Sequence, residues 1–213
     1  MLMLHRFRQT RHTDGRTFSP AEAEHECFLL TVASQDTTAA FISPLIGHIA
    51  QDKQVSTKLM AEICELEKQG LLSLPVVQYH ETTIMPYFMA CVRETLRLCP
   101  PTPIILPRYS PKGGMAIDGM WVPETAEIGA NPYLIHRNKD MFGEDVGVYR
   151  PERWLENPER THLMDRYDFV WGYGSRKCVG KNIALMDGQK FVLQVYQIHS
   201  YTITQVLTVI ALP

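Results

Sequence analysis

The pattern of apolar and polar positions predicts a mainly helical chain that opens with one long helix. Over residues 20–50, apolar side chains fall on nearly every side of a helix, which is typical of a helix packed on all faces. Ser19 and Glu22 have the spacing of a capping box at its start. Pro44 predicts a kink or a local break. We therefore expect a buried helix that is kinked or locally broken once.

Three later helices are predicted from helical spacing and from the residues that end helices. They cover about residues 56–69, 84–98 and 181–195. Gly70 predicts a left-handed cap after the first of them. Pro100 ends the second, because a residue before proline is disfavoured in helical conformation.

Short apolar runs separated by proline and glycine, at residues 104–106, 115–117 and 120–122, predict a small sheet of short strands. Residues 131–168 are rich in Pro, Asn, Asp and Arg and predict a long irregular segment of the kind that often carries function. Residues 197–210 are strongly strand-prone. The predicted fold class is mainly α with a small β-sheet, in a single domain over residues 1–213.

Charge and cysteine usage narrow the range of partners and compartments. The net charge of −2 supplies no overall field that would attract nucleic acid, so no nucleic-acid partner is expected. Five widely spaced cysteines without a CxxC, in a chain lacking a secretory leader, favour a reduced, intracellular compartment. The apolar region 27–50 contains Asp36, which would cost about 2.5–3.5 kcal/mol at mid-bilayer, so no transmembrane segment is expected.

The strongest chemical signal is the glycine-rich segment 171–180, Trp-Gly-Tyr-Gly-Ser-Arg-Lys-Cys-Val-Gly. Gly172 and Gly174 permit positive φ and can bring backbone amides close to a sulfur. Cys178 stands where the last helix is predicted to start, so the positive end of that helix and two adjacent basic residues favour the thiolate. The segment therefore predicts a metal-bound thiolate, although a cysteine beside glycines is by itself more often a buried thiol.

The full spacing of this segment resembles the haem signature of the cytochrome P-450 family, Phe-x-x-Gly-x-Arg-x-Cys-x-Gly. Gly174, Arg176, Cys178 and Gly180 match it, and Trp171 replaces the usual Phe. The resemblance implies that Cys178 is the axial ligand of a haem iron and that Arg176 binds a haem propionate. Gly180 lets a flat macrocycle lie against the helix, and Trp171 keeps an aromatic wall beside the sulfur.

Glu94 and Arg97 lie three residues apart on one predicted helix. On spacing alone they form an exposed ion pair worth about 0.2–0.5 kcal/mol. Together with Pro-Glu-Arg at residues 151–153, they resemble the family's Glu-x-x-Arg and Pro-Glu-Arg motifs. The resemblance implies that Glu94, Arg97 and Arg153 form a buried structural triad that braces the irregular stretch before the cysteine segment.

The segment 33–38, Ala-Ser-Gln-Asp-Thr-Thr, lies in the middle of the first long helix. Ser and Thr hydroxyls at such positions often bond back to a carbonyl one turn earlier, so the segment alone is weak evidence. It resembles the family's Ala/Gly-Gly-x-Asp/Glu-Thr-Thr motif, with Ser34 in place of a glycine. The resemblance implies that Asp36 and Thr37 deliver protons during oxygen activation, on the side of the haem opposite the sulfur.

Several other residues have weaker assignments. Arg108 either binds a haem propionate, as the resemblance implies, or is an ordinary arginine at a strand end. Ile104 and Ile105 either line a substrate cavity or pack in the core. His136 and Arg137 resemble part of the family's Asn-x-x-x-x-His-Arg segment, which implies a structural role. A local basic surface is expected from Arg166, Arg176, Lys177, Lys181 and Lys190. Such a cluster is usually a solvated face, but it is also where an acidic reductase would dock.

The resemblance covers about residues 21–191. Within it, residues 36–44 and 142–154 are similar to the fungal, pisatin demethylase-like members. It implies the C-terminal portion of the cytochrome P-450 fold, with haem b as the cofactor. In relatives, one atom of dioxygen is inserted into a small hydrophobic organic substrate with electrons from an NADPH-dependent flavoprotein reductase.

Complete members of the family are longer than this chain and are anchored in the endoplasmic reticulum membrane. Because their earlier helices have no counterpart here, residues 27–50 are expected to expose an apolar patch. A truncated, non-catalytic haem-binding fragment and an inactive gene-model product are therefore the alternatives to a monooxygenase.

Overall fold

The computed structural model describes the backbone of residues 2–210 and the side chains of residues 5–7 and 9–198. This part of the chain is mainly helical with short antiparallel strands, which confirms the predicted fold class. The chain divides into two compact units, Met1–Ala39 and Ala40–Pro213.

The first unit contains α1 (Leu2–Gln9) and the start of α2 (Pro20–Gln51). The capping box predicted at the start of α2 is confirmed. The backbone N–H of Ser19 donates to Glu22 Oε2 at 2.9 Å, and the backbone N–H of Glu22 donates to Ser19 Oγ at 3.3 Å. Arg16 adds an ion pair to Glu22 Oε1 at 2.7 Å. The pKa of the Glu22 carboxyl falls to about 2, chiefly because the Ser19 backbone N–H donates to its charged form.

The long helix α2 differs from its prediction in two ways. It is one helix throughout, so the break considered at Pro44 is absent from it. It is also not packed on all faces: the side chain of Phe28 is 70% exposed, and Leu29 and Val32 are exposed beside it. These residues form the apolar patch expected over residues 27–50. Toward the end of α2, side chains at every fourth position are buried, because there one side of the helix meets the core of the second unit.

The core of the second unit is built by the end of α2 together with α3 (Lys53–Lys68), α5 (Pro86–Leu98) and α9 (Lys181–Ile210). The short α4 (Tyr79–Thr82) precedes α5. The main buried apolar residues of this core are Phe41, Leu45, Ile49, Val55, Leu59, Ile63, Phe88, Val92, Leu96, Val192 and Leu193. The start of α3 is three residues earlier than predicted because the Asp52 side chain accepts hydrogen bonds from Gln54 N and Val55 N. Gly70, with φ of +69°, confirms the left-handed cap.

Two separate pairs of strands replace the single small sheet that was predicted. Strand β1 (Arg108–Tyr109) pairs antiparallel with β4 (Glu127–Ile128), and β2 (Met115–Ile117) forms a hairpin with β3 (Met120–Val122). The strand predicted at residues 104–106 is wrong, since these residues have no strand assignment. Proline on both sides of this run removes backbone donors that a ladder needs.

The irregular segment predicted at residues 131–168 is more ordered than expected. It contains α6 (Pro132–Ile135), α7 (Lys139–Phe142), a 3-10 helix (Pro151–Trp154) and α8 (Pro158–Arg166). An asparagine precedes each of these α-helices, and its side chain accepts hydrogen bonds from backbone N–H groups of the first turn. Three of the residues that suggested irregular chain, Asn131, Asn138 and Asn157, are therefore helix caps.

The final helix extends to Ile210, and the end predicted near residue 195 is wrong. The strand preference of residues 197–210 does not prevail, because a β-branched residue costs at most about 0.7 kcal/mol in a helix that already exists, and each added residue closes another hydrogen bond. Within residues 2–210, no helix combines the length and apolar character that crossing a membrane requires.

Candidate functional site

The cysteine segment 171–180 is a tight loop that ends at the first turn of α9. Gly172 and Gly174 have φ values of +70° and +68°, the left-handed region that glycine adopts without strain. Between them and the cysteine lies a single 3-10 turn, Gly174–Arg176. The backbone N–H of Cys178 donates to the carbonyl of Trp171 at 2.8 Å, which closes the loop.

This loop presents its sulfur on an open face. Cys178 is exposed, and the neighbouring Val179 is 90% exposed. Cys178 precedes the first residue of α9, Lys181, by three positions. Gly180 adds no β-carbon on this face. The loop therefore exposes a cysteine next to an apolar side chain that water largely surrounds.

The other predicted haem contacts occupy different environments. Arg176 is exposed within the 3-10 turn. Arg108 is exposed and donates to the carbonyls of Pro107 at 2.9 Å and Leu106 at 3.3 Å, as an ordinary strand-end arginine does. The ring of Trp171 packs against the main core and lies 5.7 Å from Lys181 Nζ. The backbone carbonyl of Trp171 accepts the hydrogen bond from Cys178 N.

The structure brings together Glu94, Arg97 and Arg153, here called the ion cluster. Glu94 is 0% exposed, and the two arginines are 2% and 3% exposed. Glu94 Oε1 accepts from Arg97 Nη2 at 2.8 Å and from Arg153 Nε at 2.9 Å, while Oε2 accepts from Arg97 Nε at 2.9 Å. The interpretation of Glu94 and Arg97 as an exposed pair is therefore wrong.

Two further donors complete the coordination of Glu94, and sequence reasoning missed both. Trp154 Nε1 donates to Oε2 at 2.9 Å, and the backbone N–H of Arg150 donates to Oε1 at 3.0 Å. The only sequence signal for the Trp154 contact was that Trp154 directly follows Arg153, which was already predicted to bind Glu94. A carboxylate with five donors is satisfied in a dry interior, where an unpaired charge would be costly.

Asp145 balances the second guanidinium of the ion cluster. Its Oδ1 lies 2.9 Å from Arg153 Nη1, and its Oδ2 lies 2.6 Å from Arg150 Nε. Burial by itself would raise the pKa of Asp145, but the hydrogen bonds from Arg150 and Arg153 lower it below its usual value. This carboxylate is therefore ionised at neutral pH.

The arginines of the ion cluster also bind the backbone that leads toward the cysteine loop. Arg97 Nη1 donates to the carbonyls of His136 at 2.9 Å and Val146 at 2.8 Å. Arg153 Nη2 donates to the carbonyls of Asp145 at 3.1 Å and Val148 at 3.2 Å. The ion cluster thus joins α5 to residues 136–148, which consist of α7 and the turns on both sides of it.

A cavity of about 320 Å³ lies in the second unit between the ion cluster and α9. Arg97, Trp154, Trp171 and Lys181 are among its lining residues. Cys178 does not line it, so this cavity is separate from the exposed face of the sulfur.

Asp36 and Thr37 are exposed residues of α2. They lie in the unit Met1–Ala39, whereas Cys178 lies in the unit Ala40–Pro213. Thr37 Oγ1 donates to the carbonyl of Ala33 at 2.7 Å, and Ser34 Oγ donates to the carbonyl of Thr31 at 3.0 Å. Both hydroxyls thus donate to a backbone carbonyl about one turn earlier in the same helix, as Ser and Thr side chains in helices often do, and both donors are satisfied.

Comparison with known proteins identifies relatives across most of the chain. The family model for cytochrome P-450 matches residues 1–206. The chain is 36% identical to a cytochrome P-450 monooxygenase of Aspergillus flavus over 84% of its own length and 35% of that protein. It is 38% identical to the cytochrome P-450 monooxygenase cicH of Emericella nidulans (75% of this chain, 32% of that protein). It is 35% identical to pisatin demethylase of Fusarium vanettenii (84% and 33%). The chain therefore spans about a third of the length of these relatives.

Proposed function

This chain belongs to the cytochrome P-450 family, and we propose that it forms the haem-binding part of a monooxygenase in which Cys178 is the axial thiolate. The observation that carries the proposal is the exposed sulfur of Cys178 on a loop closed by the 2.8 Å hydrogen bond to Trp171 and ending at the start of α9. The proposed cofactor is haem b, and its pairing with a thiolate is the chemistry that such a loop favours.

The chain's residues divide the task of holding this cofactor. Cys178 supplies the ligand from its exposed position before the start of α9. Arg176 and Arg108 are exposed and can turn their guanidiniums to the two propionates. Gly180 leaves space beside the sulfur, since a β-carbon there would lie 3.9 Å from Cys178 Sγ, and Gly174 provides the left-handed turn of the loop with its φ of +68°. When bound, haem b supplies the activation of dioxygen and the transfer of one oxygen atom to a small hydrophobic organic substrate.

Asp36 and Thr37 are proposed to deliver protons during that reaction. The Thr37 hydroxyl has a single hydrogen, which is held by the Ala33 carbonyl at 2.7 Å. Because the side chain is exposed, rotation about its Cα–Cβ bond can redirect that hydrogen to another acceptor. The exposed carboxylate of Asp36 can take up a proton from water and return it to the hydroxyl.

The partner proposed for electron supply is an NADPH-dependent flavoprotein reductase. Arg176 and Lys177 are exposed on the cysteine loop, and Arg166 is exposed at the end of α8; their positive charge suits an acidic partner. The net charge of −2 for the whole chain argues against nucleic acid as a partner. The wide spacing of the cysteines supports an intracellular location, where thiols stay reduced.

Haem binding without catalysis is the second candidate. It is favoured by one observation, the hydrogen bond that engages the Thr37 hydroxyl with Ala33. Oxygen-dependent consumption of NADPH in the presence of a fungal reductase distinguishes the two. A haem-loaded chain that consumes no NADPH above the background of the reductase alone is a binder and not an enzyme.

The proposal is tested by reducing the haem-reconstituted chain under carbon monoxide and recording its Soret band. We expect the long-wavelength band of thiolate ligation for the wild type and for Cys27→Ser, a control at a cysteine outside the loop. Cys178→Ser should lose this band. An imidazole-type band in the wild type, or a thiolate band that survives in Cys178→Ser, contradicts the proposal, and the lack of any haem band favours an inactive product.

A further inference from the structure

His136 connects the ion cluster to the segment that enters the cysteine loop. Its side chain is buried, with 1% exposure. Its Nδ1 lies 3.2 Å from the carbonyl oxygen of Arg97, and its Nε2 lies 3.1 Å from the backbone nitrogen of Phe169. The His136 carbonyl also accepts from Arg97 Nη1 at 2.9 Å. Both the ring and the backbone of His136 are therefore attached to Arg97.

These partners determine which ring nitrogen carries the hydrogen. The backbone N–H of Phe169 can only donate, so His136 Nε2 must accept. The carbonyl of Arg97 can only accept, so Nδ1 must hold the hydrogen and donate it. One neutral tautomer satisfies both contacts, whereas a second proton on Nε2 would set two donors against each other.

The electrostatic surroundings favour the neutral ring. Burial lowers the pKa of His136 below its ordinary value, although the Asp168 carboxylate opposes this effect. Asp168 Oδ1 lies 3.8 Å from His136 Nε2 and is engaged by the backbone N–H of Val170 at 3.1 Å. The carboxylate therefore stabilises the loop segment locally and does not replace Phe169 as the partner of the ring.

A short series of backbone hydrogen bonds leads from His136 to the sulfur-bearing residue. Phe169 donates its N–H to His136, and its carbonyl accepts from Gly172 N at 3.0 Å. Two residues after Phe169, the Trp171 carbonyl accepts from Cys178 N at 2.8 Å. Gly172 and Cys178 are thus both held by the segment that His136 anchors.

We propose that His136 is a positioning residue for the Cys178 sulfur: it ties the entry of the cysteine loop to the rigid ion cluster, so that the thiolate meets the iron in one orientation. This role rests on the proposed function, because it requires Cys178 to hold a haem iron. A histidine that merely filled the core would stabilise the fold but would leave the ligand geometry of folded molecules unchanged.

Two substitutions of similar polarity separate the two contacts of the ring. In His136→Gln the amide oxygen reaches the position of Nε2 and can still accept from Phe169. In His136→Asn the shorter side chain reaches only the position of Nδ1, so the link to Arg97 is kept and the link to Phe169 is lost. Gln is therefore the matched control for Asn.

The first readout is amide hydrogen exchange at Phe169, which needs no haem. We expect His136→Asn to exchange about tenfold faster than the wild type at this amide and His136→Gln to stay near the wild type.

The second readout is haem affinity and the reduction potential of the folded, haem-loaded chain. Loss of such an outer contact typically weakens a metal site about 10–100-fold, so we expect His136→Asn to bind haem more weakly by that factor and to shift the potential, with recovery in His136→Gln.

The outcomes keep this inference separate from the proposed function. A wild type that binds haem without a thiolate band overturns the proposed function, and the inference with it. The positioning role alone is overturned by a different combination of results. In that case the wild type has a thiolate band, and His136→Asn exchanges fast at Phe169 but matches the wild type in haem affinity and reduction potential. Should His136→Asn fail to fold, the tautomer in the wild type decides: ring nitrogen-15 shifts that place the hydrogen on Nε2 contradict the link to Phe169.

Discussion

The role of the ion cluster is tested most sharply by truncating Arg97 to alanine. The Arg97 guanidinium makes five hydrogen bonds, two to Glu94 and one each to the carbonyls of His136, Val146 and Val148. Arg97→Ala removes all five and enlarges the cavity that Arg97 already lines. Glu94 would keep three donors, Arg150 N, Arg153 Nε and Trp154 Nε1, but would lose the arginine of α5 that binds it.

The expected cost follows from the burial of these groups. Removing one partner of a buried ion pair costs about 3–5 kcal/mol, because the other charge and its polar neighbours stay desolvated. The total stability of a domain is about 5–15 kcal/mol. The loss is therefore a fifth or more of the free energy of unfolding. At the same time the carbonyls of His136 and Val146 lose their arginine donor, while the Val148 carbonyl keeps Arg153.

Urea denaturation followed by circular dichroism measures the change in the free energy of unfolding, and haem reconstitution measures the consequence for the site. We expect Arg97→Ala to lose about 3–5 kcal/mol and to incorporate no haem. The matched control is Arg166→Ala, an exposed arginine of α8, which should stay within about 0.5 kcal/mol of the wild type. A fully haem-loaded Arg97→Ala chain of wild-type stability would refute the assigned role of the ion cluster.

Three further predictions use the same denaturation assay. His136 has a lowered pKa in the folded state. Below pH 6.5, the unfolded value, the unfolded chain therefore binds a proton that the folded chain does not, and the free energy of unfolding decreases as the pH is lowered. His136→Gln should reduce that fall, and an identical pH profile would contradict it. Trp154→Phe keeps a ring but removes the donor to Glu94, and it should cost about 1.5–3 kcal/mol; a loss near zero would mean that the indole N–H is dispensable. Gly188→Ala places a β-carbon 2.3 Å from Phe41 Cε1 and should cost about 1–3 kcal/mol, unless the ring moves aside freely.

Those parts of the fold that depend on neighbouring residues could be predicted from the sequence. The capping box at Ser19 and Glu22 and the left-handed glycine at Gly70 are local features, and the structure contains both. The asparagine caps of residues 131–168 are equally local, but an asparagine also fits a turn, so its side chain alone does not distinguish the two.

Features that depend on distant packing could not be predicted. Whether a helix such as α2 is buried along its whole length is decided by the elements that cover it, and Phe28 is exposed despite an apolar pattern around it. The continuation of α9 to Ile210 reflects a helix already formed, which outweighs residue preference.

The candidate site shows the same division between local and distant information. The glycine spacing around Cys178 is local and indicated the loop. Glu94 and Arg97 looked like an ordinary pair by spacing, and only the resemblance to a second motif placed Arg153 beside them. The contacts of Trp154 and of Arg150 N with Glu94 arise from the path of the chain after α7, which no single motif encodes.

The most direct test of the central claim is to detect a bond between the haem iron and the sulfur of Cys178. Resonance Raman spectra of the ferric, haem-loaded chain should contain a low-frequency iron–sulfur vibration that shifts when cysteine carries a heavy sulfur isotope. The vibration should be absent from Cys178→Ser. A wild-type spectrum without any isotope-sensitive band, or an unchanged band in Cys178→Ser, would contradict the assignment of Cys178 as the ligand.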